Sequence, residues 1–375
     1  MDLGQDRMSF LEKLAQINIG LVVLISAVAG VGFLSLYSAA GADINPWASR
    51  QLVRYSVSVV GMLIIALIDI KWWLRLAYPI YLLGLFLLIL VEIMGAIGMG
   101  AQRWINLGFI QLQPSELMKI AVIMALARYF HIRPMDDLKR LQALIMPLIL
   151  IFTPVAFVML QPDLGTSLMI IMGGAVMMFL AGVPLLFFMI TGAGALASIP
   201  LAWFFVLRDY QKQRVLTFLN PESDPLGAGY HITQSKIALG SGGIEGKGFL
   251  NGTQSHLNFL PEKQTDFIFT LWAEEFGFIG GVGLLFLFVC IFAYGLFISM
   301  RCKTQFSRLL AMGLCVNFSL YVIINIAMVM GLIPVVGVPL PLISYGGTAM
   351  LSVMIGFGLM ISANIHRHQK LPKYF

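Results

Sequence analysis

The chain has 375 residues, of which 59% are hydrophobic and 11% charged, with a net charge of +6. Soluble domains carry roughly 25% charged residues. Too few are present here to coat a water-exposed globule of this length, so lipid must be the solvent for most of the surface, and the two or three soluble domains that length alone would suggest are excluded. The basic residues are scattered between apolar runs, which excludes a nucleic-acid surface. Cys290, Cys302 and Cys315 have neither framework nor metal-ligand spacing and read as small hydrophobes.

A membrane-crossing helix needs about 20 mostly apolar residues. Such runs lie near 17–39, 52–70, 76–97, 116–131, 142–160, 166–182, 185–207, 267–298, 307–332 and 342–364, the fourth and sixth being short. The first is too long for the apolar part of a signal peptide and lacks a clear cleavage site, so it counts as a span. The alternating pattern of a barrel strand is absent. The expectation is an all-α polytopic membrane protein of about ten transmembrane helices, a single domain over 1–375 with one large extracytoplasmic loop, 208–266, between helices 7 and 8.

Orientation follows from Lys and Arg in the short connections. An even number of spans puts both termini on one side. The short segments of that side hold fourteen basic residues, from Arg7 and Lys13 through Lys71, Arg128 and Lys303 to Lys373, against Arg50, Arg54 and Arg103 on the other. Both termini are therefore expected in the cytoplasm and the long loop outside.

Ionisable groups within or beside spans are costly, so each is a functional candidate. Glu92, near the outer end of span three, reads as a snorkelling boundary residue. Arg103, followed by Trp104, sits in a loop too polar for the hydrocarbon core, where headgroup anchoring is the plain alternative. Pro114-Ser115-Glu116 makes a good helix start, and Glu116 and Lys119, three apart, share a face; a purely structural salt bridge would look the same. Asp163 caps span six, either as a simple N-cap or as part of a site. The long loop opens on Arg208 to Arg214, and the Val215–Leu219 stretch suits a short helix at the membrane surface. Gly242 to Gly248 looks like a phosphate loop but lacks the spacing and the hydroxyl residue after Lys247. His231 and His256 are single loop histidines, without a zinc pattern. Glu262, Lys263 and Asp266 close the loop. Asp266, where a polar loop enters a long apolar helix, reads better as a poised base than as a cap. Glu274 and Glu275 lie about two turns deeper, lining a polar cavity or pairing with neighbours. Gly277 and Gly281, four apart, suggest a close helix contact.

The stretch from Tyr210 to Gly277, YQKQRVLTFLNPESDPLGAGYHITQSKIALGSGGIEGKGFLNGTQSHLNFLPEKQTDFIFTLWAEEFG, resembles the outer loop and eighth span of the shape, elongation, division and sporulation (SEDS) family. GAQRWINLGFIQLQPSELMKI, QPDLGTS and GLIPVVGVPLPLISYGGTAM are similar to further motifs of that family, and the resemblance covers essentially the whole chain. NPESDPLGAGYHI and GVPLPLISYGG resemble its elongation branch more than its division branch.

The resemblance implies a peptidoglycan glycosyltransferase of the bacterial cytoplasmic membrane. Such an enzyme joins lipid II units on the outer face into glycan strands for cell elongation and cell shape. It implies a class B penicillin-binding protein (a transpeptidase) and the elongation machinery as partners. Asp266 matches the family's essential aspartate; Arg103, Glu116, Lys119 and Asp163 match polar positions around the same outer cavity. Glu262 and Lys263 join them as candidates for holding substrate and diphosphate. A β-linked glycan made from an α-linked diphosphate needs one in-line displacement, with one base on the acceptor hydroxyl. The leaving diphosphate needs positive charge from Lys, Arg or a divalent cation, Mg or Mn, for which Glu116 and Asp163 are the candidate ligands. Two rivals stand: a lipid II flippase, which would carry polar groups through the whole depth of the bundle, and a non-catalytic scaffold, which would not need Asp266. From the basic-residue count, a cysteine placed at Asn251 is expected to react with a membrane-impermeant thiol reagent in intact spheroplasts; labelling only after lysis would invert the topology.

Overall fold

A computed structural model describes residues 8–94, 96–98, 101–106, 111–205, 207, 209–220, 228–256 and 262–373. Arg208, the 221–227 part of the Pro/Gly/Ser/Asp stretch, and Pro261 lie outside the described residues. In chain order the elements are α1 (Phe10–Ala15), α2 (Ile19–Ala39), α3 (Trp47–Leu67), α4 (Ile70–Met94), strands β1 (Ala96–Gly98), β2 (Ala101–Asn106) and β3 (Gln111–Leu112), α5 (Pro114–Ile132), a 3-10 turn (Met135–Lys139), α6 (Leu141–Leu160), α7 (Leu164–Leu180), α8 (Leu185–Phe205), α9 (Asp209–Leu219), α10 (Ala228–Ser241), α11 (Thr253–His256), α12 (Ile268–Arg301), α13 (Gln305–Val329) and α14 (Gly347–Ile365).

The ten expected spans correspond to α2–α8 and α12–α14. Seven of these helices are long and apolar enough to cross a membrane; the apolar stretches Leu164–Leu180 and Leu185–Leu201 are shorter. α5 has the length but carries Glu116, Lys119 and Arg128, and nearly all of it from Pro114 to Phe130 is buried. It packs against α4, α6, α7, α13 and α14, while α14 also lies on α3 and α12 lies on α13 and α2. Two expectations shift locally. The connection around Arg103 is a small antiparallel sheet, β1-β2-β3, in which Ile105 faces Leu112. The last span begins at Gly347, because Pro334, Pro339 and Pro341 keep the preceding segment out of a helix.

Three helix-interior prolines show how the bundle is held. A proline has no N–H, so the carbonyl four residues earlier loses its partner, and in lipid no water replaces it. Pro154 would orphan the carbonyl of Leu150, which accepts instead from Tyr81 Oη at 3.2 Å. Pro147 does the same to Ala143, which accepts from Tyr129 Oη at 2.6 Å. Pro79 in α4 does the same to Arg75, whose carbonyl accepts from Arg128 Nη1 at 2.8 Å. Each of these prolines is thus compensated by a side chain of a neighbouring helix, two of the three from α5.

The polar contacts divide between two ends. One end gathers Lys13 on the Leu67 carbonyl, Lys303 N on the Arg367 carbonyl, and Gln369 on Asp69. The other end gathers the N-termini of α5, α7, α12 and α14 with the sheet. Tyr81→Phe and Tyr129→Phe each leave a buried carbonyl unpaired and are expected to cost about 1–3 kcal/mol. The check is the unfolding midpoint in detergent; wild-type midpoints for both variants would contradict this account.

Candidate functional site

At that second end α7 starts on Asp163. Its Oδ1 accepts from the Thr166 N–H at 3.1 Å and its Oδ2 from Thr166 Oγ1 at 2.9 Å. Gln113 Nε2, just before α5, donates to the same Oδ2 at 3.3 Å. Arg103, on β2, donates to the carbonyls of Gln161 at 3.0 Å and Pro162 at 2.5 Å, and its Nη1 stands 3.9 Å from Asp163. Arg103 therefore ties the sheet to the α6–α7 turn. Its side chain stays 30% exposed.

Glu116 and Lys119 form a closed pair: Lys119 Nζ lies 2.7 Å from Glu116 Oε1, with side chains only 2% and 5% exposed. Glu116 Oε2 also accepts from the Tyr321 hydroxyl and from Ser352 Oγ at 3.2 Å. The Lys119 ammonium stands 4.2 Å from the centre of the Tyr321 ring. This is a buried network locking α5 to α13 and α14.

Asp266 is half-buried, two residues before α12, next to its N-cap Phe267. Its carbonyl accepts from Asn325 Nδ2 at 2.9 Å, and the same amide nitrogen reaches the Val338 carbonyl at 2.7 Å. A methyl group on Gly337 would sit 3.5 Å from Asp266 Oδ2. Ser344 Oγ donates to the Thr265 carbonyl at 2.6 Å, and the Tyr345 N–H donates to the Gln264 carbonyl at 2.8 Å. Burial pushes the Asp266 carboxyl up to about 6, and the Glu262 carboxylate adds to that while Arg214 opposes it. Burial also pulls Lys263 below the usual lysine value. Thr265 Oγ1 donates to Glu262 Oε2 at 2.9 Å. Glu262 and Leu342 hold left-handed backbone, φ +47° and +68°, on either side of these contacts. Non-glycine residues hold that conformation only where the surroundings enforce it.

Tyr321 and Asn325 are one helical turn apart and share a face of α13. One holds Glu116 and the other holds the Asp266 turn. Tyr321 belongs to a small buried cluster with Met169, Leu320, Ile324 and Val338. The structure thus brings Asp266, Glu262 and Lys263 into one turn and Arg103 onto Asp163, while enclosing Glu116 and Lys119 deeper in the bundle. The chain read alone misses Tyr321, Asn325 and Ser352, whose signal is a polar side chain inside an apolar run, and Arg214, near enough to Asp266 to lower its pKa.

α12 is not one continuous helix. Gly277 has φ +64° and ψ −161°, a break where a close helix contact was expected. The rejected phosphate loop fills it. Lys247 N and Gly248 N donate to the carbonyls of Glu274 and Glu275 at 3.1 and 3.0 Å, and Phe278 N and Ile279 N donate to Gly243 and Ile244 at 2.9 and 3.2 Å. Lys247 Nζ pairs with the buried Glu274 at 2.7 Å, and the Ser38 hydroxyl of α2 donates to Glu275. The two acids whose role the chain alone left open therefore pair with neighbours.

A divalent cation at Glu116 and Asp163 does not fit these contacts, because each carboxylate is already taken up by protein donors, one of them the Lys119 ammonium. Among the described residues no group of three or more His, Cys, Asp and Glu could hold a metal ion.

Residues 7–371 match the family described as cell cycle protein, comprising FtsW, RodA and SpoVE, and the chain belongs to that family. It is 44% identical to the peptidoglycan glycosyltransferase MrdB of Escherichia coli (strain K12), over 94% of each chain. It is 31% identical to the peptidoglycan glycosyltransferase RodA of Treponema pallidum, over 92% of this chain and 96% of that one. The fold is similar to a chain solved in a study of how a peptidoglycan synthase complex coordinates polymerization and crosslinking, with a TM-score of 0.82 and 33% identity over 94% of this chain and 99% of that one. It is also similar to the rod shape determining protein RodA of Thermus thermophilus, with a TM-score of 0.72 and 30% identity over 94% and 98%.

Removing one partner of a buried ion pair strands the other, at about 3–5 kcal/mol. Lys119→Met is therefore expected to destabilise the protein strongly, and Lys119→Met/Glu116→Gln to recover most of the loss. The check is the thermal midpoints of the three proteins; a double variant as unstable as the single one would contradict the closed network.

Proposed function

We propose that this chain is a peptidoglycan glycosyltransferase that joins lipid II units into glycan strands, with Asp266 as the general base. The observation that carries the reading is the Asp266 turn: a half-buried carboxyl whose pKa is raised to about 6, beside Arg214 and Lys263, where a polar loop enters an apolar helix. Relatives spanning nearly all of the chain carry the name peptidoglycan glycosyltransferase. A substrate with a polyprenyl tail and a sugar-diphosphate head suits that boundary, because the tail stays in lipid while the head reaches the carboxylate.

The acceptor hydroxyl oxygen attacks the anomeric carbon of the donor and its proton passes to Asp266. The bond from that carbon to the diphosphate oxygen breaks, and the electron pair leaves with the diphosphate. One displacement inverts the centre and needs no covalent enzyme intermediate. Arg103 and Lys263 face the charge that develops on the leaving group. Glu116 and Lys119 act from below, by fixing α5 against α13, and Asp163 by fixing the start of α7 under Arg103. The catalytic end faces outside and both termini lie in the cytoplasm of a bacterial inner membrane, as the basic residues of the short connections support. A class B penicillin-binding protein of the elongation machinery is the partner, a reading supported by the similarity to a chain of a synthase complex that polymerizes and crosslinks. Co-purification with the cognate partner in mild detergent checks it; two folded proteins that do not associate would refute it.

Purified protein with labelled lipid II is expected to make glycan strands, and Asp266→Asn to lose about 10²–10⁴-fold in rate. Transfer of lipid II across vesicles without polymer would support a flippase, and neither activity a scaffold. Because the carboxyl is a base only when charged, the rate should climb as pH rises through about 6 and level off above it. A well-folded Asp266→Asn protein with near-normal polymerisation would sink the assignment.

A further inference from the structure

The break at Gly277 divides α12 into a short segment, 268–276, and a long one, 278–301. The short segment carries Asp266 at its head and is pinned at both ends. At the head, Asn325 holds the Asp266 carbonyl and Ser344 holds the Thr265 carbonyl. At the tail, the 242–248 loop takes up the backbone groups that the break exposes. That loop is itself fastened by the Lys247–Glu274 pair, in which Glu274 is fully buried and also accepts from the Gln254 N–H at 2.9 Å and from Thr253 Oγ1 at 3.3 Å. Phe249 stacks on Tyr37 of α2 and packs at a tilt against Phe276, with ring centres 6.2 and 6.0 Å away. Gly246 allows the approach, since a methyl group there would fall 2.1 Å from the Glu275 carbonyl oxygen.

From this geometry we infer that the 242–248 loop is a clasp that positions the general base, and that Lys247 and Glu274 are positioning residues for glycan polymerisation although neither touches the reacting atoms. The inference rests on Asp266 being the base. Asp266 lies eleven positions before the break, and the helical part between them, 268–276, is a lever of about 13 Å at 1.5 Å per residue. A tilt of about 4° at the break then either strains the hydrogen bonds of Asn325 and Ser344 at the head or moves the carboxylate by about 1 Å, and a 1 Å misplacement can cost about 10²-fold in rate. The clasp removes that tilt. A salt bridge that merely held the outer loop to the bundle would leave turnover unchanged once the protein was folded.

The test uses the full chain in detergent with labelled lipid II. Lys247→Met is expected to lower kcat by about 10- to 10²-fold with little change in KM, and Lys247→Arg, which keeps the charge, to recover most of it. Hydrogen exchange is expected to rise in Lys247→Met at residues 242–248 and 268–279 while α5 and α14 stay protected. Lys247→Met/Glu274→Gln leaves no stranded buried charge, so it reports on the clasp even where the single variant fails to fold; it is expected to keep the thermal midpoint and still lose kcat. Wild-type kcat in the double variant, or loss of kcat without faster exchange in 268–279, would overturn the proposal. Failure of the base reading shows separately: there Asp266→Asn itself remains active, whereas failure of the clasp alone leaves Asp266→Asn inactive and the Lys247 variants normal.

Discussion

In hydrocarbon a backbone N–H or carbonyl has no water to fall back on, and this constraint organises the protein. At four of the helix interruptions another segment supplies the missing bond. Tyr81 and Tyr129 fill the buried carbonyls left by Pro154 and Pro147, and Arg128 fills the one left by Pro79 at the exposed end of α4. The loop at 242–248 fills the break at Gly277. The interruptions thereby act as cross-links: each one commits a helix to a particular neighbour in a particular register, which general apolar packing among lipid-like side chains would leave loosely specified.

The polar interior follows the same rule with side chains. The Glu116–Lys119 pair is unlike a surface salt bridge, because its charges are out of water and both carboxylate oxygens are engaged. Such a pair adds little net stability over an apolar substitute, but strands a charge when halved. Its contribution is specificity of arrangement. It fixes α13 in rotation, and the Asn325 amide one turn along that helix then meets two carbonyls from separate segments, those of Asp266 and Val338. A deep network and a surface turn are coupled by a single helical face.

Much of this was legible in the chain. Apolar run length locates ten helices because burial in lipid demands it of each helix separately. Pro114 and Asp163 are readable at helix starts because capping is local, and Asp266 because a lone acid at the mouth of a long apolar run is conspicuous. Long-range items were not legible. Tyr321 and Asn325 are ordinary residues until their distant partners are in place. The Gly242–Gly248 stretch reads as a failed phosphate loop, and two of its glycines, Gly242 and Gly246, serve close approach to Ala273, Glu275 and Gly277 rather than to an anion. Gly277 and Gly281 suggested a helix contact, because small residues four apart look alike whether a helix packs closely or turns through a left-handed glycine. The hairpin around Arg103 was hidden by its brevity, with strands of three, six and two residues.

The clasp grips mostly through main-chain atoms, with Ile244 69% exposed and Glu245 also at the surface. A contact of that kind reads the length of a segment more strictly than its letters. Side chains at 244 and 245 are free to drift over evolutionary time, whereas losing or gaining one residue between Gly242 and Gly248 would throw four hydrogen bonds out of step at once. Related chains should therefore vary in spelling here and keep the count.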